Sequence, residues 1–324
     1  MRSETPDSAS FCYNAAQMAK AQITSDRIAI SDAQAWLAEV LRIRFSEVLS
    51  ARKNALDPSR TDGVHEMRVA VRRLRSMIRD FAEIADKFPL RSLRKRLKAL
   101  ADSLGAVRDR DVFAEALAIA ASRTDDPTIL ECLNAYIKEL EDFRRSSHAA
   151  LVKDLSATRM EDLTERFDSA MEACVSQRGL FQVKSVDEGA DRIITKCAGD
   201  FARAGDAIYY PSSVERLHRM RITGKHLRYS LELFSEFLPD RFAPFVDSMR
   251  KMQSNLGEVH DCDVWCVRVR ERFVEQGQKK GPDSAERETA AWLISYFLRR
   301  RTRAYRSALR LWGKLDLDKF AAKS

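Results

Sequence analysis

The sequence predicts an all-α protein built as two similar halves, and three observations carry that expectation. A striped helical motif occurs twice, a second motif follows each copy at nearly the same distance, and no useful length of chain alternates with the two-residue period of a strand. Glycine and proline are sparse, 11 and 8 of 324 residues, and 32% of the residues are charged, which suits long helices.

The first striped motif runs from Val64 to Phe81. At about 100° per residue, Val64, Met67, Val71, Leu74, Ile78 and Phe81 form one apolar stripe, and His65, Arg68, Arg72, Arg75 and Arg79 form a basic stripe beside it. An ordinary solvated helix sets charges of both signs opposite its apolar face; this one flanks its buried seam with cations alone. The second copy lies 153 residues later. There His218, Arg221, Lys225 and Arg228 repeat the cations, Leu217, Met220, Leu227, Leu231 and Phe234 repeat the seam, and Glu232 takes the place of Arg79. Arg73 and Arg219 fall off the basic stripe. Ser59 with Asp62, and Ser212 with Glu215, have the spacing of helix capping boxes.

In chain order, residues 1–30 are polar and read as a flexible tail. From Ser31, the apolar positions Trp36, Val40, Ile43, Val48 and Leu49 describe a first helix ending near Leu56. The striped helix follows to about Ala85, and a third runs from about Leu90 to Ala121. The third contains Leu104-Gly105-Ala106-Val107-Arg108-Asp109-Arg110-Asp111-Val112, which returns 152 residues later as Leu256-Gly257-Glu258-Val259-His260-Asp261-Cys262-Asp263-Val264. Asp111 and Asp263 fall on apolar stripes and are expected to be counter-ions to the arginines of the striped helix in the same half. Gly105 and Gly257, unfavourable inside a helix by on the order of 1 kcal/mol, are expected to mark close helix contacts.

Asp125-Asp126-Pro127 opens a fourth helix to about Leu155, and a shorter one spans about Met160 to Val175. The stretch 176–185 is the best boundary, giving a first bundle over 31–180 and a second over 185–324. The second half repeats the order: helices over 186–206, 212–237, 241–276 and 284–315, with a turn from Gly277 to Pro282. The last carries six arginines without an acid between Arg299 and Arg310; Arg299, Arg303, Arg306 and Arg310 share a face, expected to join a basic cavity.

A net charge of +8 and a pI near 9.2 point to acidic partners. Six cysteines at irregular spacing, with no signal peptide, are expected to be reduced thiols in a cytoplasm. No apolar run approaches the roughly 20 residues that span a bilayer. For catalysis the chain offers no good constellation, with no Gly-rich phosphate loop, and Asp109, Asp111, Asp261 and Asp263 are better explained as counter-ions than as metal ligands. Cys262 and Cys266 share a helical face that His260 does not, so no metal site and no cofactor are expected.

The doubled Val64-His65-x-Met67-Arg68-Val69-x-x-Arg72-Arg73-Leu74-Arg75 and Leu217-His218-x-Met220-Arg221-Ile222-x-x-Lys225-His226-Leu227-Arg228-Tyr229 motifs, with the two Leu-Gly-x-Val-x-Asp-x-Asp-Val segments, resemble the conserved-histidine α-helical domain, CHAD, over nearly the whole chain after residue 30. The resemblance implies two four-helix bundles related by a pseudo-twofold axis, with a basic central cavity that binds inorganic polyphosphate. Some relatives are associated with polyphosphate or polyhydroxyalkanoate granules; with the reduced thiols and the missing catalytic constellation, a cytoplasmic binding protein rather than an enzyme is expected. The contacts it suggests are His65, Arg68, Arg72, Arg75, Arg79, Lys98 and Arg108 in the first half, and His218, Arg221, Lys225, Arg228, Lys251, Arg299 and Arg303 in the second. His260 stands where the family often has arginine, and Gly224-Lys225-His226 where it often has Ala-Lys-Arg. Polyphosphate carries charge on every unit and no base, so arginine forks suit it and stacking aromatics are not needed. Two other classes share the charge: an RNA or single-stranded DNA binder, which should interleave aromatics with its cations, and a granule-coat scaffold.

Overall fold

The computed structural model describes residues 33–60, 62–177, 179–275 and 284–316. The expected tail over 1–30 and the turn from Gly277 to Pro282 lie outside the described residues. The described chain is all-α. Its helices are α1 (Ala33–Leu56), α2 (Gly63–Phe81), α3 (Arg94–Ala121), α4 (Pro127–Asp154), α5 (Ala157–Ser176), α6 (Val186–Ala204), α7 (Val214–Ser235), α8 (Pro239–Arg270) and α9 (Ser284–Trp312). Short 3-10 turns precede α3 and follow α6, and a π turn ends α8.

Two of the helix starts carry side-chain caps. Asp126 caps α4 by accepting from the Thr128 and Ile129 amides at 2.9 and 3.2 Å. Ser185 caps α6 through the Glu188 amide, and the Glu188 carboxylate reaches back to the Lys184 amide at 2.8 Å. The capping boxes expected at Ser59 and Ser212 do not form. The residue before α2 is Asp62, which makes no side-chain cap bond, and Ser59 turns instead to Asp57 at 2.6 Å. Before α7 stands Ser213, also without a side-chain cap bond. The striped helix ends at Phe81, not near Ala85, because the backbone beyond it pairs with the connection between the halves: Gln182 donates to the Ile84 carbonyl at 2.7 Å and Asp86 to the Leu180 carbonyl at 3.2 Å.

Consecutive helices pack from α1 to α4 and from α6 to α9, α5 returns to α1, and across the halves α1 meets α6, α2 meets α7 and α4 meets α9. The hydrophobic interior therefore does not divide at residues 176–185. A larger core joins α1, α2, the first part of α3, α5, α6, α7, the first part of α8 and the end of α9. A smaller one joins Phe113, Leu117, Leu133 and Tyr136 to Trp265, Val269, Leu293 and Phe297. There Phe113 and Trp265 stack across the halves at 6.1 Å between ring centroids. Both cores draw on both halves. A fully buried phenylalanine contributes about 1.5–3 kcal/mol, so separating the halves would expose strong apolar surface on each.

Asp111 and Asp263 do find arginines, but of other helices than expected. Asp111 accepts from Arg144 Nε of α4 at 2.7 Å, and Asp263 from Arg301 Nε of α9 at 2.5 Å. They tie α3 to α4 and α8 to α9. The carboxylates beside the striped helices lie two residues earlier: Asp109 is 3.5 Å from Arg68, and Asp261 is 3.9 Å from Arg221. Gly105 and Gly257 face arginine side chains, not a neighbouring backbone. A Cβ at Gly105 would lie 3.9 Å from Arg68 Nε and one at Gly257 4.0 Å from Arg221 Nε, ordinary contacts in both cases. The glycines that close packing requires are others: a Cβ at Gly63 would lie 2.1 Å from the Asn54 carbonyl oxygen, one at Gly205 2.1 Å from the Trp312 ring, and one at Gly224 2.2 Å from the Gln253 amide.

Candidate functional site

The basic stripes of α2 and α7 meet where these helices cross. Tyr229 of α7 lies at their meeting, with the Arg72 guanidinium carbon 5.1 Å and that of Arg228 4.5 Å from its ring centroid. Arg68 and Arg72 of α2 lie close enough to Lys225 of α7 to depress its pKa, together with Arg221. Burial contributes most and the three guanidiniums add to it, so Lys225 falls to about 7. Like charges held this close raise the free energy of the empty site, and an anion would relieve it.

The histidines stand at the ends of the two stripes. His65 neighbours Arg108 of α3 as well as Arg68 and Arg72, and burial, then these cations, lower its pKa to about 4. In the second half His260 takes the place of Arg108. Its Nδ1 lies 3.2 Å from Nδ1 of His218, with the rings 4.5 Å apart. One of these nitrogens must carry a hydrogen and the other accept it, which fits neutral rings. Burial is the largest cause of the lowered pKa of His218, and of that of His260, about 4.

Arg72 Nε, Arg221 Nε and the Tyr229 hydroxyl are buried without a hydrogen-bond partner among the described residues. Buried donors are rarely left unpaired, and each such group costs on the order of 1–3 kcal/mol. Three around one crossing mark a place where an acceptor from outside the chain can sit. The carboxylates at hand are few: Asp109, Asp261 and Glu232, the last holding Arg228 Nη1 at 2.7 Å. Against them stand Arg68, Arg72, Arg108, Arg221, Lys225 and Arg228, so the cluster is cationic on balance. Its chemistry is that of binding oxyanions through forked, charge-assisted hydrogen bonds.

Other residues on the basic stripes and helices are placed differently. Arg75 is half-buried beside Asp102 and Arg94 of α3, and the same Asp102 pairs with exposed Lys98 at 2.6 Å, so these two cations share one carboxylate further along α2. Arg79 turns inward. It donates to Asp80 and to Ser76, and buried Asp80 also accepts from Ser230 of α7 at 2.8 Å, an arrangement that takes Arg79 out of the row. Lys251 is exposed on α8. Arg299 and Arg303 do not line the α2–α7 crossing; they line a separate depression on α9. Arg73, off the basic stripe, lines a cavity with Arg44, Asp80, Tyr229, Glu232 and Glu236, so that it borders the cluster without belonging to the row.

Tyr229 falls about 200° from Leu227 on α7, off the apolar seam, and only the meeting of α2 with α7 buries it beside Arg72 and Arg228. Among the described residues no group of histidines, cysteines and acids is placed to hold a metal ion. Cys262 is buried and donates to Glu258, away from His260. No helix among the described residues is long and apolar enough to cross a membrane.

Comparison with known proteins agrees with this fold. The crystal structure of the CHAD domain from the plant Ricinus communis superposes with a TM-score of 0.68 at 22% identity, covering 88% of this chain and 93% of that one. PptA from Streptomyces chartreusis superposes with a TM-score of 0.67 at 15% identity, covering 87% and 100%. In sequence, an uncharacterized protein of Mycobacterium tuberculosis strain H37Rv is 31% identical over 176 residues, 52% of this chain and 33% of that protein. The chain thus matches about a third of the length of that relative. The CHAD domain model matches residues 39–270, which takes in both striped helices, the Asp109 and Asp261 segments and the crossing around Tyr229. The chain belongs to the CHAD domain family.

Proposed function

We propose that the protein binds inorganic polyphosphate at the crossing of α2 and α7, acting as a binding protein and not as an enzyme. The observation that carries this reading is the set of unpartnered buried donors, Arg72 Nε, Arg221 Nε and Tyr229 Oη, within a cluster whose cations outnumber its carboxylates. A linear polyanion with charge on every unit would satisfy these donors and separate the crowded cations. Nucleic acid fits less well, because Tyr229 is buried and two guanidiniums already lie close to its ring, which does not suit base stacking. A cytoplasmic location, with attachment to polyphosphate or polyhydroxyalkanoate granules, would follow from the same binding and belongs to this proposal.

The test is the salt dependence of binding with a competitor. If about six cations release counter-ions, the log-log slope of affinity against salt should be on the order of −4, using the single-strand coefficient. Single-stranded RNA at matched charge concentration should compete weakly. Equal competition would instead support a nucleic-acid binder.

A further inference from the structure

The six arginines of α9 divide into two kinds. Arg300 and Arg301 turn toward α8: Arg300 Nε donates to Glu258 at 2.7 Å, and Arg301 bonds Asp263 and the Pro211 carbonyl. Arg299, Arg303, Arg306 and Arg310, spaced by four, three and four residues, point elsewhere. Helical geometry sets them roughly 140° around the axis from buried Phe297, Ala304 and Ala308. With Leu298 and Thr302 they line a depression built from α9 alone, to which α2 and α7 contribute nothing.

Among the described residues none of these four arginines has a carboxylate within ion-pair distance, and Arg310 meets only the Ser307 hydroxyl, at 3.2 Å. Several exposed cations elsewhere are paired. Arg145 pairs with Asp142, Arg166 with Asp162, Arg203 with Asp200 and Lys98 with Asp102, each within one turn of its own helix. Like charges three and four residues apart cost a helix a few tenths of a kcal/mol per pair. The row therefore carries an uncompensated repulsion that an external anion would remove. It extends about 16 Å along the axis, from the 1.5 Å rise per residue. It carries no aromatic for base stacking and one exposed apolar side chain, Leu298, too little for an amphipathic membrane helix.

We propose that the outer face of α9 is a second polyphosphate-binding track, separate from the α2–α7 crossing, so that one chain engages polyphosphate at two places. A linear anion without bases is the partner whose charge runs along a row of this kind. The identity of the ligand rests on the polyphosphate reading of the crossing; the existence of a second polyanion site does not. With long chains, two sites on one protein would let it bridge polyphosphate strands or hold one strand twice, raising avidity without new contacts.

The test is the stoichiometry of the full chain, titrated calorimetrically with a polyphosphate too short to reach both faces. Two equivalents are expected. The Arg306→Glu, Arg310→Glu double variant should lose one equivalent and keep the other with affinity changed by less than about threefold, since screening separates distant surface charges. Arg68→Ala with Arg72→Ala should lose the other equivalent. One equivalent in the wild-type chain, or two in the α9 variant, would overturn the second track. Two equivalents that become one in the α9 variant but persist when Arg68 and Arg72 are removed would uphold the track and refute the crossing. Single-stranded RNA that binds the α9 face more tightly than polyphosphate at equal charge concentration would overturn the choice of ligand.

Discussion

The guanidinium of Arg72 lies over the ring of Tyr229, 5.1 Å from its centroid, and so joins the basic stripe of one half to the helix that carries the other. Arg228 also approaches this ring, and the Tyr229 hydroxyl is buried without a partner among the described residues. Tyr229→Phe keeps the ring and removes the unpaired hydroxyl. The variant should melt at or above the wild-type temperature and bind polyphosphate more weakly by about 0.5–1.5 kcal/mol, the range for one hydrogen bond. Thermal melts and calorimetric titration check both parts; unchanged affinity would mean that the hydroxyl is no ligand.

Glu232 occupies the position of Arg79 in the repeat, and its carboxylate holds Arg228 at 2.7 Å with Arg250 3.8 Å away. It competes with any bound anion for Arg228. Glu232→Gln is expected to tighten polyphosphate binding by about three- to tenfold, the equivalent of about 0.7–1.4 kcal/mol. Weaker binding in the variant would show that Glu232 orients Arg228 for the ligand.

The site should take up protons as it fills. Lys225 is held down to about 7 by burial and by Arg221, Arg72 and Arg68, with Asp261 the facing carboxylate that opposes them; His65 and His260 are held near 4. A polyanion raises all of these values, because it favours the charged forms. Affinity should therefore rise as pH falls, most steeply around pH 7. Calorimetry in two buffers of different ionisation heat should find uptake of about half a proton per site at pH 7, the fraction of Lys225 neutral there. Lys225→Arg should abolish most of it. In the free protein the sign is reversed for stability: the unfolded chain holds the Lys225 proton and the folded chain sheds it, so stability falls as pH drops from the ordinary lysine range to about 7.

Asp80 is the buried tie between α2 and α7, accepting from Arg79 and from Ser230. Removing it strands Arg79 beside the core. Asp80→Ala should cost about 2–4 kcal/mol, below the full range for a buried pair because Arg79 keeps some contact with water. Denaturant unfolding measures this; a loss under about 0.5 kcal/mol would show that the tie contributes little.

The fold was legible because its periodicity is local. A stripe of Val64, Met67, Val71 and Leu74 can be buried on only one side, and the helix bounds agree with it to within a few residues, except where the connection between the halves draws the chain away at Phe81. What the pattern could not supply was the neighbour across the seam. Asp111 and Asp109 differ by about 200° in direction on α3, and both point at something basic. Only the packed helices show that the first meets Arg144 and the second Arg68. The same holds for Arg79, whose register suits the row but whose side chain is captured by Asp80, and for Arg299 and Arg303, whose shared face says nothing of where that face looks. The smaller core around Phe113 and Trp265 unites segments about 150 residues apart, a pairing no window of sequence contains.

The shaped-site reading is tested most directly by two triple variants of equal charge. Arg68→Ala, Arg72→Ala and Arg221→Ala empty the crossing of α2 and α7. Lys138→Ala, Arg145→Ala and Arg219→Ala remove as much charge from exposed residues outside it. Each should be titrated with long-chain polyphosphate after its helical signal and melting temperature are matched to wild type. The first set should lose affinity by about a hundredfold or more, as expected when several charge-assisted hydrogen bonds of roughly 1.5–3 kcal/mol disappear, and the second should stay within about threefold. Equal losses in the two sets would contradict a shaped site and leave net charge alone as the cause of binding.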